Sequence, residues 1–319
     1  MRYAFVLNPA AQHGRAGRMR TELEAALEQT GVASLILETS VPGHATELAH
    51  GAAQNHEVVV AVGGDGTVQE VARGLIETSA VMGIIPAGTG NDFAKAIGMP
   101  TELPSAIDAL LNADRVAVDV GKMTWRDAES DQQLEGVFTN CVGMGFDAMA
   151  AMATSKYKFL GGNLAYVAAV VETLGKWRQS GASVEVHASG EDSFELDRLI
   201  HNDRFFLVEI DNGFSVGGGF LLTPDAEIND GLLDVCFVEH VPVRRVLRIM
   251  PKTFTGNHIN EPEVRIFRTR HITIRSSEGL PVQADGEIVS TSAVYLDATI
   301  LPVALTVIAP KLRKPAKSV

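Results

Sequence analysis

Hydrophobic residues change their spacing abruptly at the glycines that follow residue 62. Residues 58–62 form an unbroken apolar run rich in valine, which is typical of a buried β-strand. After the sequence GGDGT, apolar side chains recur every three or four positions at Val68, Val71 and Leu75, which is the spacing of an α-helix. The pattern therefore predicts a strand, a glycine turn and a helix.

The same alternation of strand and helix patterns extends through Val120. Strands are predicted at Tyr3–Leu7, at residues 34–39 and before Pro86, and a helix is predicted at residues 19–27, with Gly31 ending it. Strands that alternate with helices favour a layer of parallel strands. We therefore expect residues 1–121 to form an α/β domain.

The pattern changes after Gly121, where strand-like runs follow one another without long helices between them. These runs are residues 122–126, 136–142, 183–187, 204–210, 232–238 and 270–274. Such a succession predicts an antiparallel β-sandwich or barrel, which we assign to residues 122–300. The apolar helical stretch Gly162–Lys176 interrupts it, and a packed core helix is favoured over a lipid-contacting one. The last segment, 301–319, can return to the first domain.

Two glycine turns carry the candidate chemistry of the first domain. Gly63, Gly64 and Gly66 allow the backbone to take positive φ and to present bare N–H groups, and the following helix offers its N-terminus to an anion. A second turn, AGTGND at residues 87–92, follows the next predicted strand. Because consecutive parallel strands end side by side, we expect both turns to form one phosphate site. Asp65 would repel a bare phosphate, so we interpret it as the partner of a magnesium ion or a donor hydroxyl.

These two motifs, GGDGTVQEVARGL and IIPAGTGNDFA, resemble the diacylglycerol kinase catalytic domain family, which includes bacterial lipid kinases and sphingosine kinases. NAD kinases share only the first motif. The resemblance continues at residues 138–148, 211–219 and 224–234. It implies an NAD kinase-like N-terminal domain with a parallel sheet, followed by a mostly antiparallel β-sandwich.

The resemblance also implies which residues bind the nucleotide, ATP. They lie in the loops after the first four strands or just beyond: Asn8, Pro9, Ala10, Thr39, Gly63, Gly64, Asp65, Gly66, Thr67, Glu70, Gly88, Thr89, Asn91 and Asp92. Arg15 and Arg18 could reach a phosphate or remain solvated, and the sequence leaves both alternatives open.

A magnesium site is implied in the second domain. Taken alone, Asp230 and Gly231 predict a tight turn before a strand. In bacterial members of the family the matching loop holds Mg²⁺, which implies the Asp230 carboxylate and the backbone carbonyls of Glu227 and Leu232 as ligands. Carboxylate and carbonyl oxygens suit this hard cation.

The sequence ADGE at residues 284–287 is the last informative motif. Taken alone, Asp285–Gly286 between β-rich runs predicts a hairpin turn. The resemblance implies that Asp285 is the general base and that Glu287 supports it, with Asp65 close to the metal or the acceptor. These three residues are the catalytic candidates.

Together the motifs predict a kinase of phospholipid biosynthesis that uses ATP and Mg²⁺. The favoured reaction transfers the γ-phosphoryl group to the hydroxyl of diacylglycerol and gives phosphatidic acid, although phosphatidylglycerol or a sphingoid base would satisfy the same motifs. An NAD kinase-like enzyme is one alternative, and a non-catalytic nucleotide-binding regulator is another. The combination of GTGND with ADGE favours the lipid kinase over the first, and the presence of both Asp65 and Asp285 disfavours the second.

Composition and net charge favour one cellular compartment and argue against some classes of binding partner. The net charge of −12 argues against nucleic acid and against general attraction to anionic membranes. Only two cysteines, Cys141 and Cys236, occur in 319 residues, which favours the cytoplasm. The N-terminal apolar run is too short for a signal peptide, and no run reaches the roughly 18 apolar residues of a membrane span.

Any membrane contact should therefore be local and transient. Residues 242–252 alternate basic and apolar side chains, which fits a helix on an anionic membrane or a solvated helix packed on a sheet. We favour membrane proximity, with the basic tail at residues 311–317 aiding docking. A homodimer is also compatible with the sequence.

Overall fold

The computed structural model describes residues 1–154, 156–157, 162–176 and 183–312; for residues 11–18, 162–166, 176 and 197 it describes the backbone alone. The described chain divides into two compact units. The first unit comprises Met1–Asp119 and a return segment that begins at Val303, and the second comprises Val120–Pro302.

The first unit is built on parallel strands covered by helices. Its elements are β1 (Tyr3–Leu7), α1 (Ala11–Thr30), β2 (Ser34–Glu38), α2 (His44–Ala53), β3 (Val58–Gly63), α3 (Asp65–Leu75), β4 (Val81–Pro86), α4 (Asp92–Ala96) and α5 (Leu103–Asn112). The strand order is β2-β1-β3-β4, and every pair is parallel. In the return segment, Val307 pairs with Met82 of β4, also in parallel.

Residue choice explains these elements. Every residue of β1, β3 and β4 is buried, which is why these strands appear in the sequence as continuous apolar runs. Helix α3 buries Val68, Val71 and Leu75 at the predicted helical spacing. Gly31 ends α1 in the left-handed region with φ 67°.

Two details of the first domain differ from the sequence prediction. Helix α1 begins at Ala11 and not at the predicted residue 19, so the loop after β1 is shorter than expected; the helix continues through Gly14 and Gly17, although glycine disfavours helix. The layer of parallel strands was predicted to extend through Val120. This residue lies instead in the long strand β5 (Asp114–Asp127), which pairs antiparallel with β6 (Leu134–Phe138).

In the part that the structure describes, the second unit consists of antiparallel strands with three helices of eight or more residues. After β5 and β6 come β7 (Cys141–Gly145), α6 (Phe146–Thr154), α7 (Gly162–Lys176), β8 (Ser183–Ser189), β9 (Leu196–Asp211), β10 (Leu233–Glu239), α8 (Val243–Thr253), a short 3-10 helix (Asn257–Asn260), β11 (Val264–Thr269), β12 (His271–Ala284) and β13 (Glu287–Ala309). Antiparallel ladders join β12-β7-β9-β10-β11 in that order. Strand β8 pairs with both β9 and β12.

All six predicted strand-like runs fall on strands, but residues 136–142 form two strands instead of one. The break occurs at Thr139 and Asn140, whose backbone N–H groups bond to the carboxylate of Asp285 instead of a neighbouring strand. Strands β11 and β13 were not predicted, since polar residues interrupt both segments.

Two apolar clusters lie among the described residues of the second unit. One contains Val142, Val208 and Ile272, and the other contains Phe146, Leu207 and Ile249 together with residues of α7. In α7, Val170 and Leu174 are buried. Among the described residues, no helix is long and apolar enough to span a bilayer.

Candidate active site

Two glycine loops of the first unit lie in direct backbone contact. The loop after β3 and the loop after β4 leave the same edge of the sheet, because Gly63 pairs with Pro86 at the ends of these parallel strands. The N–H of Ala87 donates to the carbonyl of Gly63 at 2.7 Å. A Cβ on Gly88 would lie 2.4 Å from the Cα of Gly64, so neither glycine could carry a side chain without moving the other loop.

Gly63 and Gly64 of the first loop serve close approach, and the predicted positive φ is wrong. Gly64 has φ −92° and ψ −170°, which is extended backbone. Neither Gly63 nor Gly66 is among the described residues with positive φ. A Cβ on Gly63 would instead lie 2.5 Å from Oγ1 of Thr67, one turn further along the chain.

Asp65 connects the two loops. Its Oδ2 accepts the N–H of Asn91 and its Oδ1 accepts the N–H of Asp92, both at 2.7 Å. A Cβ on Gly90 would lie 2.7 Å from the same Oδ2, so this glycine makes room for the carboxylate. Each carboxylate oxygen can accept a second bond, and the predicted role beside a metal or hydroxyl stays a prediction.

The second loop is held by its own asparagine. Asn91 has φ 52°, accepts the N–H of Gly88 at Oδ1 (2.9 Å) and donates from Nδ2 to the Gly88 carbonyl (3.0 Å). Asp92 is buried, and Lys95 Nζ lies 3.2 Å from its Oδ1. Thr89, at the tip of the loop, is exposed. The loop is therefore rigidly shaped and reaches solvent at its tip.

The remaining predicted nucleotide residues follow β1 and β2 at the same edge. Asn8 Nδ2 donates to Thr67 Oγ1 at 3.1 Å, and Asn8 Oδ1 accepts the N–H of Ala10 at 3.0 Å, so the Asn8–Pro9–Ala10 turn is tied to the first glycine loop. The N–H of Thr39 donates to the Leu7 carbonyl at 2.9 Å. The side chains of Arg15 and Arg18 lie outside the described residues.

Glu70 has a different environment. Its two carboxylate oxygens accept the N–H groups of Gly43 (2.8 Å) and Ala45 (3.1 Å) at the start of α2. A carboxylate in this position satisfies donors that the helix cannot pair and favours its positive end. The structure thus shows Glu70 as a capping residue, and the nucleotide contact stays a prediction.

In the second unit, Asp285 occupies a tight hairpin between β12 and β13, as the sequence predicted. Asp285 has φ 48° and Gly286 has φ 85°, the two positive values of a type I′ turn. The Asp285 N–H donates to the Cys141 carbonyl at 2.9 Å. The Gly286 N–H donates to Oε1 of Gln283 at 2.8 Å.

Four donors converge on the buried Asp285 carboxylate. Thr139 donates from its N–H (2.8 Å) and its hydroxyl (3.0 Å) to Oδ2, while the N–H groups of Asn140 and Cys141 donate to Oδ1, each at 2.9 Å. Burial raises the pKa of Asp285, and these donors oppose that rise. A carboxylate with four donors must release a bond before it accepts a proton. Glu287, two residues later, is exposed.

A buried group of acids and a thiol lies on the neighbouring strands. One possible metal-ligating atom from each of Cys141, Glu209 and Asp211 lies within 4.8 Å of the other two. Gln283 Nε2 donates to Glu209 at 3.0 Å, and Thr223 Oγ1 donates to Asp211 at 2.7 Å. Burial raises the pKa of both carboxyls well above the usual range.

Sequence reasoning missed this buried group. Glu209 and Asp211 occupy alternate positions of a strand that is otherwise rich in apolar residues, so both face the same side of the sheet. Two acids on the buried face of a strand were the available signal, since unpaired charges are rarely buried.

In the predicted metal loop the structure shows the contacts of Asp230, and the Mg²⁺ ligands Glu227, Asp230 and Leu232 stay a prediction. Asp230 Oδ1 accepts the N–H of Leu232 at 3.0 Å, and its Oδ2 lies 3.6 Å from Nη1 of Arg268. Burial, and next the Asp230 carboxylate, raise the pKa of Asp234 to about 7. The carboxyl groups of Asp230 and Asp234 lie close enough to repel each other, with Arg268 as the nearby cation. A divalent ion bound there would reduce this repulsion.

The second unit also contains an apolar cavity. Its volume is about 80 Å³, and it is partly open to solvent. Its lining is Phe146, Asp147, Val170, Phe206, Leu207, Phe220, Leu222, Val238, Val241, Val246, Ile249, Met250, Thr253 and His258. Asp147 is the one carboxylate in this lining, and its contact with Glu209 raises the pKa of the latter further.

Comparison with known structures defines the class of fold. A crystal structure of a diacylglycerol kinase from Bacillus anthracis superposes with a TM-score of 0.74 at 24% identity and covers 97% of this chain and 96% of its own. Yeast NADH kinase in complex with NADH gives a TM-score of 0.51 at 9% identity over 96% of this chain and 82% of its own. The fold is thus NAD kinase-like with an antiparallel β-sandwich, which confirms the predicted fold class.

Sequence comparison then gives the family. The diacylglycerol kinase catalytic domain matches residues 2–123, and the YegS C-terminal NAD kinase beta sandwich-like domain matches residues 140–309. The diacylglycerol kinase of Bacillus subtilis is 31% identical over 265 residues, which cover 82% of this chain and 81% of that protein. That of Mycobacterium tuberculosis is 28% identical over 309 residues, covering 95% and 94%. The chain belongs to the diacylglycerol kinase family, and the predicted resemblance is confirmed.

Proposed function

We propose that this protein is an ATP-dependent lipid kinase that transfers the γ-phosphoryl group to the hydroxyl of diacylglycerol and releases phosphatidic acid. The observation that carries this proposal is the apolar cavity of the second unit. Its lining is apolar except for Asp147, Thr253 and His258, which suits hydrocarbon chains with a polar end and does not suit a soluble dinucleotide. Family membership makes the protein a lipid kinase, and the cavity supports an acyl lipid as the acceptor.

In this proposal the first unit binds ATP. The two touching glycine loops lie at the ends of β3 and β4, and α3 directs its N-terminus to the same edge of the sheet. Both features stabilise phosphate oxygens. When bound with the nucleotide, Mg²⁺ would neutralise phosphate charge, and Asp65 is the residue of this edge best suited to ligate it.

The second unit supplies the proton acceptor and a second magnesium site. We assign the base to Asp285, because burial raises its pKa above that of an ordinary aspartate, which makes the carboxylate a better proton acceptor. Its bonds to Thr139 would hold the carboxylate in one orientation, and Glu287 supports it from the exposed side of the turn. The Glu227, Asp230 and Leu232 loop would hold a magnesium ion of mainly structural role.

The acceptor lipid resides in a bilayer, so the protein must contact a membrane to reach it. We propose that it works from the cytoplasm through transient, peripheral contact. Because the net charge is −12, this contact has to involve a local surface rather than the whole chain.

A lipid-panel assay tests the proposal. The protein is incubated with labelled ATP and Mg²⁺ and with diacylglycerol, phosphatidylglycerol, a sphingoid base or NAD, each added separately. Label in phosphatidic acid is the expected result. Label in NADP would establish the NAD kinase alternative, whereas ATP binding without label in any acceptor would establish the non-catalytic regulator.

A further inference from the structure

Helix α8 (Val243–Thr253) has one face in the protein and one in solvent. Val246, Ile249 and Thr253 are buried, and all three line the apolar cavity together with the half-buried Met250. This helix therefore forms one wall of the space that we assign to the lipid chains. Its other face has no such packing role.

The outer face of α8 carries two arginines and apolar side chains. Arg244, Leu247, Arg248 and Pro251 recur at helical spacing and are all exposed, with Leu247 49% exposed. Just beyond the helix, Phe254 is 38% exposed and packs its ring against Phe220 of the cavity lining, with 4.5 Å between ring centroids. We call Arg244, Leu247, Arg248, Pro251 and Phe254 the α8 outer face.

Ion pairing separates the basic residues of this helix into two kinds. Arg245 bonds to Glu263 at 2.7 Å and to Glu261, and Lys252 also bonds to Glu261, so their charges are compensated within the fold. Arg244 and Arg248 take part in no ion pair with any residue that the structure describes. Two uncompensated cations thus flank an exposed leucine in a chain of net charge −12.

We propose that the α8 outer face docks on the surface of an anionic bilayer. Cations near such a surface are attracted to its phosphates, and exposed apolar side chains between them can enter the interface. A purely acidic protein partner would explain the arginines but not the apolar residues. Since the opposite face of the same helix lines the cavity, docking brings the wall of the proposed lipid site to the membrane; this inference rests on the proposed function.

Vesicle binding tests the docking surface. Sedimentation is measured with vesicles of phosphatidylcholine alone and of phosphatidylcholine mixed with phosphatidylglycerol. Wild type should bind the mixed vesicles, and the Arg244→Gln/Arg248→Gln double variant should bind them roughly 25-fold more weakly, since each charge contributes on the order of fivefold. Leu247→Gln should weaken binding to a smaller extent and leave its salt dependence unchanged.

A matched control removes the same charge elsewhere. Arg126→Gln/Arg198→Gln changes two exposed arginines of the second unit that lie outside α8. If this control loses as much affinity as the α8 double variant, the effect is one of net charge and the proposal is overturned. The proposal is also overturned if the α8 double variant, at an unchanged melting temperature, binds the mixed vesicles with wild-type affinity. It is overturned as well if an anionic peptide binds wild type through Arg244 and Arg248 without displacing the vesicles.

Activity measurements keep this inference separate from the proposed function. With short-chain diacylglycerol dissolved as monomers, the α8 double variant should turn over like wild type, whereas with lipid in mixed vesicles it should be slowed in proportion to its lost binding. Arginine-dependent vesicle binding by a protein that phosphorylates no lipid would leave the docking surface standing and the function wrong. Equal slowing on monomers and vesicles would show that the arginines act in substrate binding, and docking through α8 would be rejected.

Discussion

The carboxylate of Asp65 accepts the backbone N–H of Asn91 at 2.7 Å, across 26 residues of chain. This bond, with its partner from Asp92, ties the loop after β3 to the loop after β4. An acid placed among phosphate-binding glycines thus has a structural reason to be there in addition to any chemical one. The two roles predict different consequences when the side chain is changed.

We expect Asp65→Asn to abolish phosphoryl transfer without unfolding the protein. An amide offers one acceptor oxygen and would turn its NH₂ group towards one of the two N–H donors, which costs about 1–3 kcal/mol for the donor left unpaired. The variant should therefore melt a few degrees lower as well as lose activity. Turnover and thermal melting are measured beside Asp114→Asn, an exposed aspartate in β5 that should behave as wild type. Near wild-type turnover would reduce Asp65 to a turn residue.

The contact between the glycine loops gives a second prediction. A Cβ on Gly88 would lie 2.4 Å from the Cα of Gly64 and 2.8 Å from Oδ1 of Asn91, so Gly88→Ala must push the loops apart. We expect a loss of about 1–3 kcal/mol in the free energy of unfolding and at least tenfold weaker ATP binding. Gly51→Ala is the control, because a Cβ there meets nothing within 4 Å and alanine favours the helix. Unaltered nucleotide affinity in Gly88→Ala would show that the loops do not need this close approach.

Gly64 and Gly88 also show which features of the fold could be predicted from the sequence. The change from strand to helix spacing around residue 63 is local, so the strand, turn and helix were predictable. The reason for the glycines was not, because Gly64 and Gly88 lie far apart in sequence and meet only in the fold. The break of β6 from β7 is similar, since Thr139 and Asn140 leave the ladder to bind a carboxylate about 145 residues later. Non-local hydrogen bonds of this kind leave no periodic pattern.

The metal loop makes a prediction that does not depend on activity. If Asp230 and the carbonyls of Glu227 and Leu232 bind Mg²⁺, the wild type should gain thermal stability as Mg²⁺ is added, since an ion bound only by the native state stabilises it. Asp230→Ala should remove most of this gain. Glu227→Ala should keep it, because its predicted ligand is a backbone carbonyl and its side chain is exposed. A melting temperature of the wild type that does not respond to Mg²⁺ would contradict the site.

The buried carboxyl of Glu209 should make stability depend on pH. Burial, followed by the nearby Asp147 and Asp211, raises its pKa well above the usual range. The native state therefore holds a proton that the unfolded chain releases above about pH 4.5. The contribution of this group to stability is full below that pH and is lost as pH rises towards its folded pKa, at a rate of about 1.4 kcal/mol per pH unit.

Glu209→Gln removes this titration and keeps the shape. The amide oxygen can still accept from Gln283 Nε2, which donates to Glu209 at 3.0 Å, and the new NH₂ group can donate to Asp147. We expect melting temperatures of the variant to fall less than those of wild type between pH 5 and 8. Glu195→Gln, an exposed acid, should reproduce the wild-type curve. Parallel curves for wild type and Glu209→Gln would mean that this carboxyl is ionised in the folded protein.

A test of Asp285 as the general base must separate a loss of catalysis from a loss of structure, because its carboxylate also holds residues 139–141 in place. Asp285→Asn should bind ATP normally and lose about 10²–10⁴-fold in turnover at every lipid concentration. It should also melt at a lower temperature, since one amide oxygen cannot accept from all four donors. Glu287→Gln should be milder and act mainly on KM, because Glu287 is exposed at the start of β13. Low activity in Asp285→Asn is therefore not decisive by itself.

Thr139→Val distinguishes the base from a purely structural carboxylate. This nearly isosteric change removes the hydroxyl that donates to Asp285 Oδ2 at 3.0 Å and leaves the backbone donors of Thr139, Asn140 and Cys141 in place. A donor to the ionised form lowers the pKa of a carboxyl, so its loss should raise the pKa of Asp285 further. If Asp285 accepts the lipid proton, the acidic limb of the kcat profile must move to higher pH in Thr139→Val, while the rate on the plateau changes little. An acidic limb that stays where it is in wild type, together with a lowered melting temperature, would leave Asp285 as a structural anchor and require another proton acceptor, with Asp65 the first to be tested.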